Sequence, residues 1–228
     1  AEAEAAFIAP IVEQYESQLA LQLVTEKRAI EDGPEDNRKA TFLSQAWTWN
    51  RIDDPLAPRD GFAVRLQVGG AGAQLGSDRS FGRITARGSY LQPIGGFGTL
   101  QLRLETGAVI ANSRENIPSV YLFRTGGDTT VRGYAFESLG VREGDAIVGG
   151  RYMAAGSIEY IQWLTRQWGV AAFYDAGNAV DDRSQFRAVV GYGTGLRWHS
   201  PVGALNLDIA YGQDTGAYRL HFSVGFIF

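Results

Sequence analysis

An all-β fold, an antiparallel barrel crossing a membrane, is the class this sequence predicts, and three observations carry it. Apolar and polar residues alternate with a period of two through most of the chain, the pattern of a strand with two unlike faces. The polar faces carry full charges on strand after strand, at Arg65, Arg103, Glu105, Glu159, Arg197 and Asp208, and many runs have about the 9–11 residues of a tilted bilayer crossing. Aromatic residues gather near strand ends, at Trp47, Trp49, Tyr90, Tyr160, Trp163, Trp168, Trp198, Tyr218 and Phe228, where interfacial girdles sit. A soluble sandwich, its polar face in water and its apolar face against a second sheet, is the competing architecture. The repeated charges, strand lengths and aromatic placement favour the barrel.

Each strand has its own evidence. Gln14–Thr25 sets Leu19, Leu21 and Leu23 against Gln18, Ala20 and Gln22, and a partial strand at Ala1–Ile8 precedes it. Ala40–Arg51 and Phe81–Gln92 flank Gly61–Gly69, where Phe62, Val64, Leu66 and Val68 oppose Ala63, Arg65 and Gln67. In Thr99–Ile110, Leu100, Leu102 and Leu104 oppose Gln101, Arg103 and Glu105. Arg151–Leu164, Gly169–Gly177, Phe186–His199 and Ala204–Tyr211 follow. The last run alternates Tyr218, Leu220, Phe222, Val224, Phe226 and Phe228 with Arg219, His221, Ser223 and Gly225. That makes about ten strands, joined alternately by short turns such as Gly95–Gly98, Ser200–Gly203 and the Asp53–Gly61 segment.

Composition removes several function classes. A net charge of −4 with no basic run argues against nucleic acid as a partner. With no cysteine, neither a disulfide framework nor a thiolate metal site is possible. No run approaches a membrane-spanning helix, and the acidic start Ala1-Glu2-Ala3-Glu4 does not read as a signal peptide. The two histidines, His199 and His221, lie on different strands, so no metal site is expected. His221 and Asp208 face each other across the last two strands, yet no nucleophile elbow precedes them, and a hydrolase reading fails. Gly191, Gly193 and Gly195 lie inside a strand with no following helix, so they are no phosphate loop. No enzyme and no cofactor are expected.

One stretch breaks the alternation. Residues 111–146 are long and polar, and they hold Leu122-Phe123-Arg124-Thr125-Gly126-Gly127-Asp128-Thr129-Thr130-Val131-Arg132-Gly133-Tyr134. A loop of that length in a compact β domain is either functional or disordered. Arg124 to Tyr134, with Gly156-Ser157-Ile158-Glu159-Tyr160, Phe173-Tyr174-Asp175-Ala176-Gly177, Gly193 to Gly203 and the phenylalanine-ended last strand, resembles the C-terminal part of the barrel of the BamA/TamA superfamily (the bacterial surface antigen family), most closely its TamA-like members. The likeness covers roughly residues 40–228 and is most specific from Leu122 onward. It implies the C-terminal portion of a sixteen-stranded barrel whose sixth extracellular loop folds inward. Residues 1–228 carry neither the family's periplasmic POTRA repeats nor its full strand count, so the expectation is one barrel domain or a fragment of a longer one.

The resemblance also implies a site. Arg132, at the loop tip between Val131 and Gly133, would leave bulk water and need anions. Glu159 and Asp175 point inward by parity and are the partners expected. Gly133 would permit the tight backbone at the tip, and Tyr134 would wedge against the wall. Gly127 and Asp128 belong to the loop's packing surface, and Gly191, Gly193 and Gly195 are read as space left for the folded loop. Tyr218, Phe222, Phe226 and Phe228 form the terminal assembly signal that the resemblance implies.

The function implied is insertion or translocation of other proteins in the bacterial outer membrane, through a lateral seam and an arginine-held loop. An organelle outer membrane ranks behind that address. The partners implied are outer-membrane lipid, client outer-membrane proteins and a periplasm-spanning inner-membrane partner reached through N-terminal domains. A passive channel or adhesion barrel is the second reading, and a soluble ligand-binding β domain the third.

Overall fold

The computed structural model describes residues 3–12, 15–28, 36–54, 57–200 and 203–224. Eleven antiparallel strands form one sheet: β1 (Ala3–Val12), β2 (Tyr15–Arg28), β3 (Asp36–Ile52), β4 (Gly61–Ala71), β5 (Phe81–Ile94), β6 (Gly98–Ile110), β9 (Tyr152–Trp163), β10 (Trp168–Val180), β11 (Val189–Ser200), β12 (Gly203–Gly212) and β13 (Ala217–Val224). Two short strands, β7 (Val141–Glu143) and β8 (Ala146–Val148), make a separate hairpin inside the long loop. Sequence neighbours pair throughout, except that β6 pairs with β9 and the loop bridges them. Among the described residues, β1 and β13 are each paired on one side only.

The strand faces follow the alternation. Leu19, Leu21, Leu23, Leu43, Leu104, Ile158, Leu207 and Ile209 point outward and are exposed, while Ala20, Ser44, Ala63, Ser157, Glu159 and Asp208 point inward and are buried. The sheet rolls around the loop that occupies its concave side. Ser119 N donates to Glu26 Oε2 on β2 at 2.6 Å, Arg38 Nη1 on β3 donates to the Ile117 carbonyl at 3.1 Å, and Gly133 N donates to His221 Nε2 on β13 at 2.9 Å. One loop can reach strands near both edges only if the sheet is strongly curled.

Much of the loop is held by apolar contact with the wall. Tyr121, at the end of a 3-10 turn (Ser119–Tyr121), sits 4.6 Å from the ring of Phe42 and 5.2 Å from that of Phe81. Ile117, Val109, Phe123, Met153 and Ala179 complete this cluster. Phe123 occupies the space over Gly107, where an added methyl would come within 2.4 Å of the ring, and Arg83 lies over its face at 4.7 Å.

Several sequence expectations are corrected. β11 begins at Val189, not Phe186, because Asp182 accepts from Ser184 N at 2.8 Å and caps a 3-10 turn (Arg183–Gln185). Trp163 is not an outward girdle residue. It points into the interior, donates to Thr99 Oγ1 at 3.0 Å and lies against the His199 ring, with the Arg59 guanidinium 4.6 Å from the centre of its ring. Aromatic pairs do mark the short-turn end on the outer face: Trp168 stacks on Trp198 at 5.2 Å, and Tyr15 meets Trp49 at 5.4 Å. Tyr218 belongs to the opposite level, where Tyr174, Tyr192, Tyr211 and Tyr218 stand in register across β10 to β13. Phe226 and Phe228 lie outside the described residues.

Replacing Phe42 by alanine should cost about 3–5 kcal/mol, because the partner rings cannot close around the space left. A fall in the urea midpoint of the folded domain checks this, and the outward Leu43→Ala should cost less.

Candidate functional site

Strand registers set by short turns build the site. The turn after Trp163 places Glu159 opposite Phe173 and Ser157 opposite Asp175. The pairing of Ser200 with Gly203 places Arg197 opposite Asn206 and Gly195 opposite Asp208. The inward faces of β9, β10 and β12 therefore bring three carboxylates toward one place. Between β10 and β12 runs β11, whose successive inward positions at this level are Gly191, Gly193 and Gly195. Glycines form the floor and acids form the walls.

Arg132 fills this socket. Its Nε donates to Asp175 Oδ2 at 2.7 Å and its Nη2 to Asp175 Oδ1 at 2.8 Å, a forked pair. Nη1 donates to Glu159 Oε2 at 2.7 Å and to Asp208 Oδ2 at 3.1 Å, and Nη2 also reaches Ser157 Oγ at 3.2 Å. The backbone N–H of Arg132 donates to Asp175 as well, at 3.0 Å. The guanidinium carbon lies 3.4 Å from the centre of the Phe173 ring. Arg197 closes the cluster, donating to Glu159 Oε1 at 2.7 Å and to Asp208 Oδ1 at 2.6 Å.

Burial makes these contacts matter. Asp175 is 0% exposed and Arg132 2%. Arg103, inward on β6 with Nη2 3.5 Å from Ser157 Oγ, is the third cation of the group. Three arginines then face three carboxylates, and the wall without the loop tip holds one negative charge in excess. Docking Arg132 brings the group to neutrality. Burial alone would lower the affinity of the Arg132 guanidinium for its proton; the hydrogen bonds to Asp175 and the charges of Asp175, Glu159 and Asp208 outweigh that and raise its pKa.

The residues expected from the sequence are placed as follows. Arg132, Glu159 and Asp175 come together directly. Gly133, at φ +92°, lies against β12, where an added methyl would come within 2.7 Å of Gly212 N. Tyr134 is buried among Val131, Ala155 and Val189, and its hydroxyl donates to the Val190 carbonyl at 3.1 Å and accepts from Asp214 N at 3.0 Å. Gly127, at φ +102°, turns the loop, its N–H meeting the Val131 carbonyl at 3.1 Å, and the half-buried Asp128 faces the space below the tip.

The three strand glycines separate into different roles. Only Gly191 makes room for the loop: a methyl there would come within 1.8 Å of the Arg132 carbonyl oxygen. Gly193 admits the Phe173 ring, and Gly195 admits Asp208 and Arg197. The sequence reads Arg197 and Asp208 as inward charges but not as members of the site, although the pairing of Ser200 with Gly203 makes them diagonal neighbours. Phe173, Ser157 and Gly212 were missed because contacts with a docked loop follow no strand pattern. Tyr218 and Phe222 are exposed on β13 and touch none of this group.

The family model for the Omp85 superfamily domain matches residues 2–228. The chain belongs to the Omp85 superfamily. Within it, "Outer membrane protein assembly factor BamA" of Nitratidesulfovibrio vulgaris is 28% identical over 197 residues, 80% of this chain and 25% of that protein. The crystal structure of BamA from Haemophilus ducreyi lacking POTRA domains 1-3 matches in fold with a TM-score of 0.77, covering 98% of this chain and 52% of that one at 18% identity. The chain thus spans a quarter of the one relative's length and about half of the other's. Both of these relatives are BamA proteins, and neither bears on the expected closeness to TamA-like members.

Replacing Arg132 by alanine strands excess negative charge in the buried socket and should lower stability by about 3–5 kcal/mol in urea titrations. Pairing Arg132→Met with Asp175→Asn should recover part of that loss, because the uncompensated charge goes too. Gly191→Val removes no charge yet should expel the tip, read as trypsin cleavage after Arg132 that the parent protein resists.

Proposed function

We propose that this chain is the C-terminal part of a bacterial outer-membrane barrel that inserts or assembles client outer-membrane proteins, with Arg132 pinning its inward loop. The observation carrying this reading is the loop-tip guanidinium engaged by carboxylates of three strands, immediately beside a strand whose outer edge is unpaired among the described residues.

The mechanism is physical. An edge strand presents open N–H and C=O groups that template pairing with another chain. In hydrocarbon each unsatisfied group costs several kcal/mol, so an incoming client strand is strongly favoured to pair there. The Arg132 cluster stiffens β9 to β12 from inside. Among the described residues β13 is joined to the sheet through β12 alone, which leaves it as the part free to swing. In the whole protein, upstream strands would close the seam and POTRA-type domains would link to a periplasm-spanning inner-membrane partner. The apolar outer face would meet lipid.

Bond-breaking chemistry has no place in this reading. Asp208 is engaged by Arg132 and Arg197, and His221 Nε2 accepts from a backbone N–H.

In the full protein, Arg132→Ala should leave a heat-modifiable barrel in the outer membrane while client assembly falls sharply. Normal client assembly together with unchanged conductance would instead point to a passive channel. Placement of the outer face in lipid is tested by Leu207→Arg, which should cost about 2–4 kcal/mol in vesicles. The inward neighbour Asn206→Arg should cost far less; equal small effects would contradict a membrane setting.

A further inference from the structure

Beside the arginine pin stands a second tie that the assembly reading leaves unused. Gly133, the residue after Arg132, donates its backbone N–H to Nε2 of His221 at 2.9 Å. Among the described residues this is the only hydrogen bond from the loop to β13. Every other polar tie of the tip ends on β9, β10, β11, β12 or the turn before β13.

The chemistry of this tie is restrictive. A ring nitrogen accepts a hydrogen bond only when it carries no proton, so His221 must be neutral with its proton on Nδ1. A proton on Nε2 turns the acceptor into a donor facing another donor. The bond is then lost and replaced by repulsion. The charged groups facing the imidazole are Asp128 and Arg132 from the loop, Asp208 from β12 and Arg219 on its own strand. Two carboxylates and two guanidiniums face the ring, which is also partly withdrawn from water. A charged imidazole would also compete with Arg132 and Arg197 for Asp208, the one carboxylate both arginines share with the β12 wall.

We propose that His221 is a positioning residue that couples the loop tip to the last strand through its neutral Nδ1–H tautomer, and that protonation of this imidazole releases β13 from the tip. The inference rests on the inward-loop reading of the site and adds a regulation to it. The Arg132 pin, which grips Glu159 and Asp175 and does not involve the imidazole, would hold the loop on β9 and β10 while β13 lets go. Acidification therefore frees the edge strand without expelling the loop.

The test uses the full protein in lipid vesicles without any client, so its outcome is independent of whether proteins are assembled. The chain contains no cysteine, and Thr129→Cys with Ala217→Cys provides two spin-label sites, one on the tip and one at the start of β13. Between about pH 7.5 and pH 4.5 the protonated share of an imidazole rises at least about tenfold. The label pair should show one distance at the higher pH and a second, longer population growing by a similar factor at the lower. His221→Gln, whose amide oxygen accepts the same bond but does not titrate, should keep the single distance at both. Label distances that do not respond to pH in the parent protein would overturn the proposal, as would an undiminished response in His221→Gln. Trypsin protection at Arg132 of the same samples after return to neutral pH, together with heat-modifiability, identifies any variant that failed to fold.

Discussion

A guanidinium removed from water must find its counter-charges where it comes to rest, and in this chain that demand falls on Arg132. Burying an ion costs several kcal/mol even after relaxation, and only close, well-oriented partners offset the cost. Here every guanidinium nitrogen is engaged, and the wall the residue docks on carries the matching excess of negative charge. The dependence is mutual. Without the tip, Glu159, Asp175 and Asp208 would confront one another with Arg197 and Arg103 alone to neutralise them. The loop and the wall each complete the other, so neither is a passive surface for the other.

Space imposes the second constraint. Three acids and a planar cation cannot meet on the inner face of a curled sheet if every strand projects side chains there. β11 resolves this with glycine at three successive inward positions, and Gly133 with Gly212 lets backbone approach backbone at the tip. Glycine weakens strands in general, through lost packing and greater chain entropy. Its concentration here is the cost of a socket deep enough for an arginine, and the neighbouring cation cluster and the Phe173 ring restore the contacts that β11 itself cannot make.

The strands were legible because a sheet with unlike faces writes its period into the residues. The Leu19, Leu21, Leu23 face and the Leu100, Leu102, Leu104 face appear outward as the pattern requires, and Glu159 and Asp175 appear inward. What stayed hidden has one physical origin: contacts made across the interior obey no local period. Trp163 looked like an interfacial aromatic because it ends a strand, yet its inward parity decides its environment, and Thr99, His199 and Arg59 supply partners there. Gly193 and Gly195 share parity with Gly191 but meet different neighbours, since a docked loop occupies only part of one face. Arg197 and Asp208 lie between these cases. Their diagonal relation follows from the turn that pairs Ser200 with Gly203, but only the loop's course reveals that Arg132 joins them.

The loop's attachment is unequal along its length, and that inequality bears on how the edge strand can move. Near its start, rings are interlocked: Tyr121 with Phe42 and Phe81, and Phe123 over Gly107. Such contacts are short-ranged and additive, so this part yields only when the wall itself opens. At the tip the ties are polar and fan out over five strands, strongest toward β9 and β10 and thinnest toward β13, where one neutral nitrogen accepts one N–H. A gradient of that kind lets a sheet be rigid on one side and movable on the other while the same loop spans both. The outer face fits this division: on β11, β12 and β13, Tyr192, Tyr211 and Tyr218 meet only through tilted ring contacts. Resistance to displacement of β13 therefore resides chiefly in the backbone pairing with β12, which is also the interaction an incoming strand can reproduce.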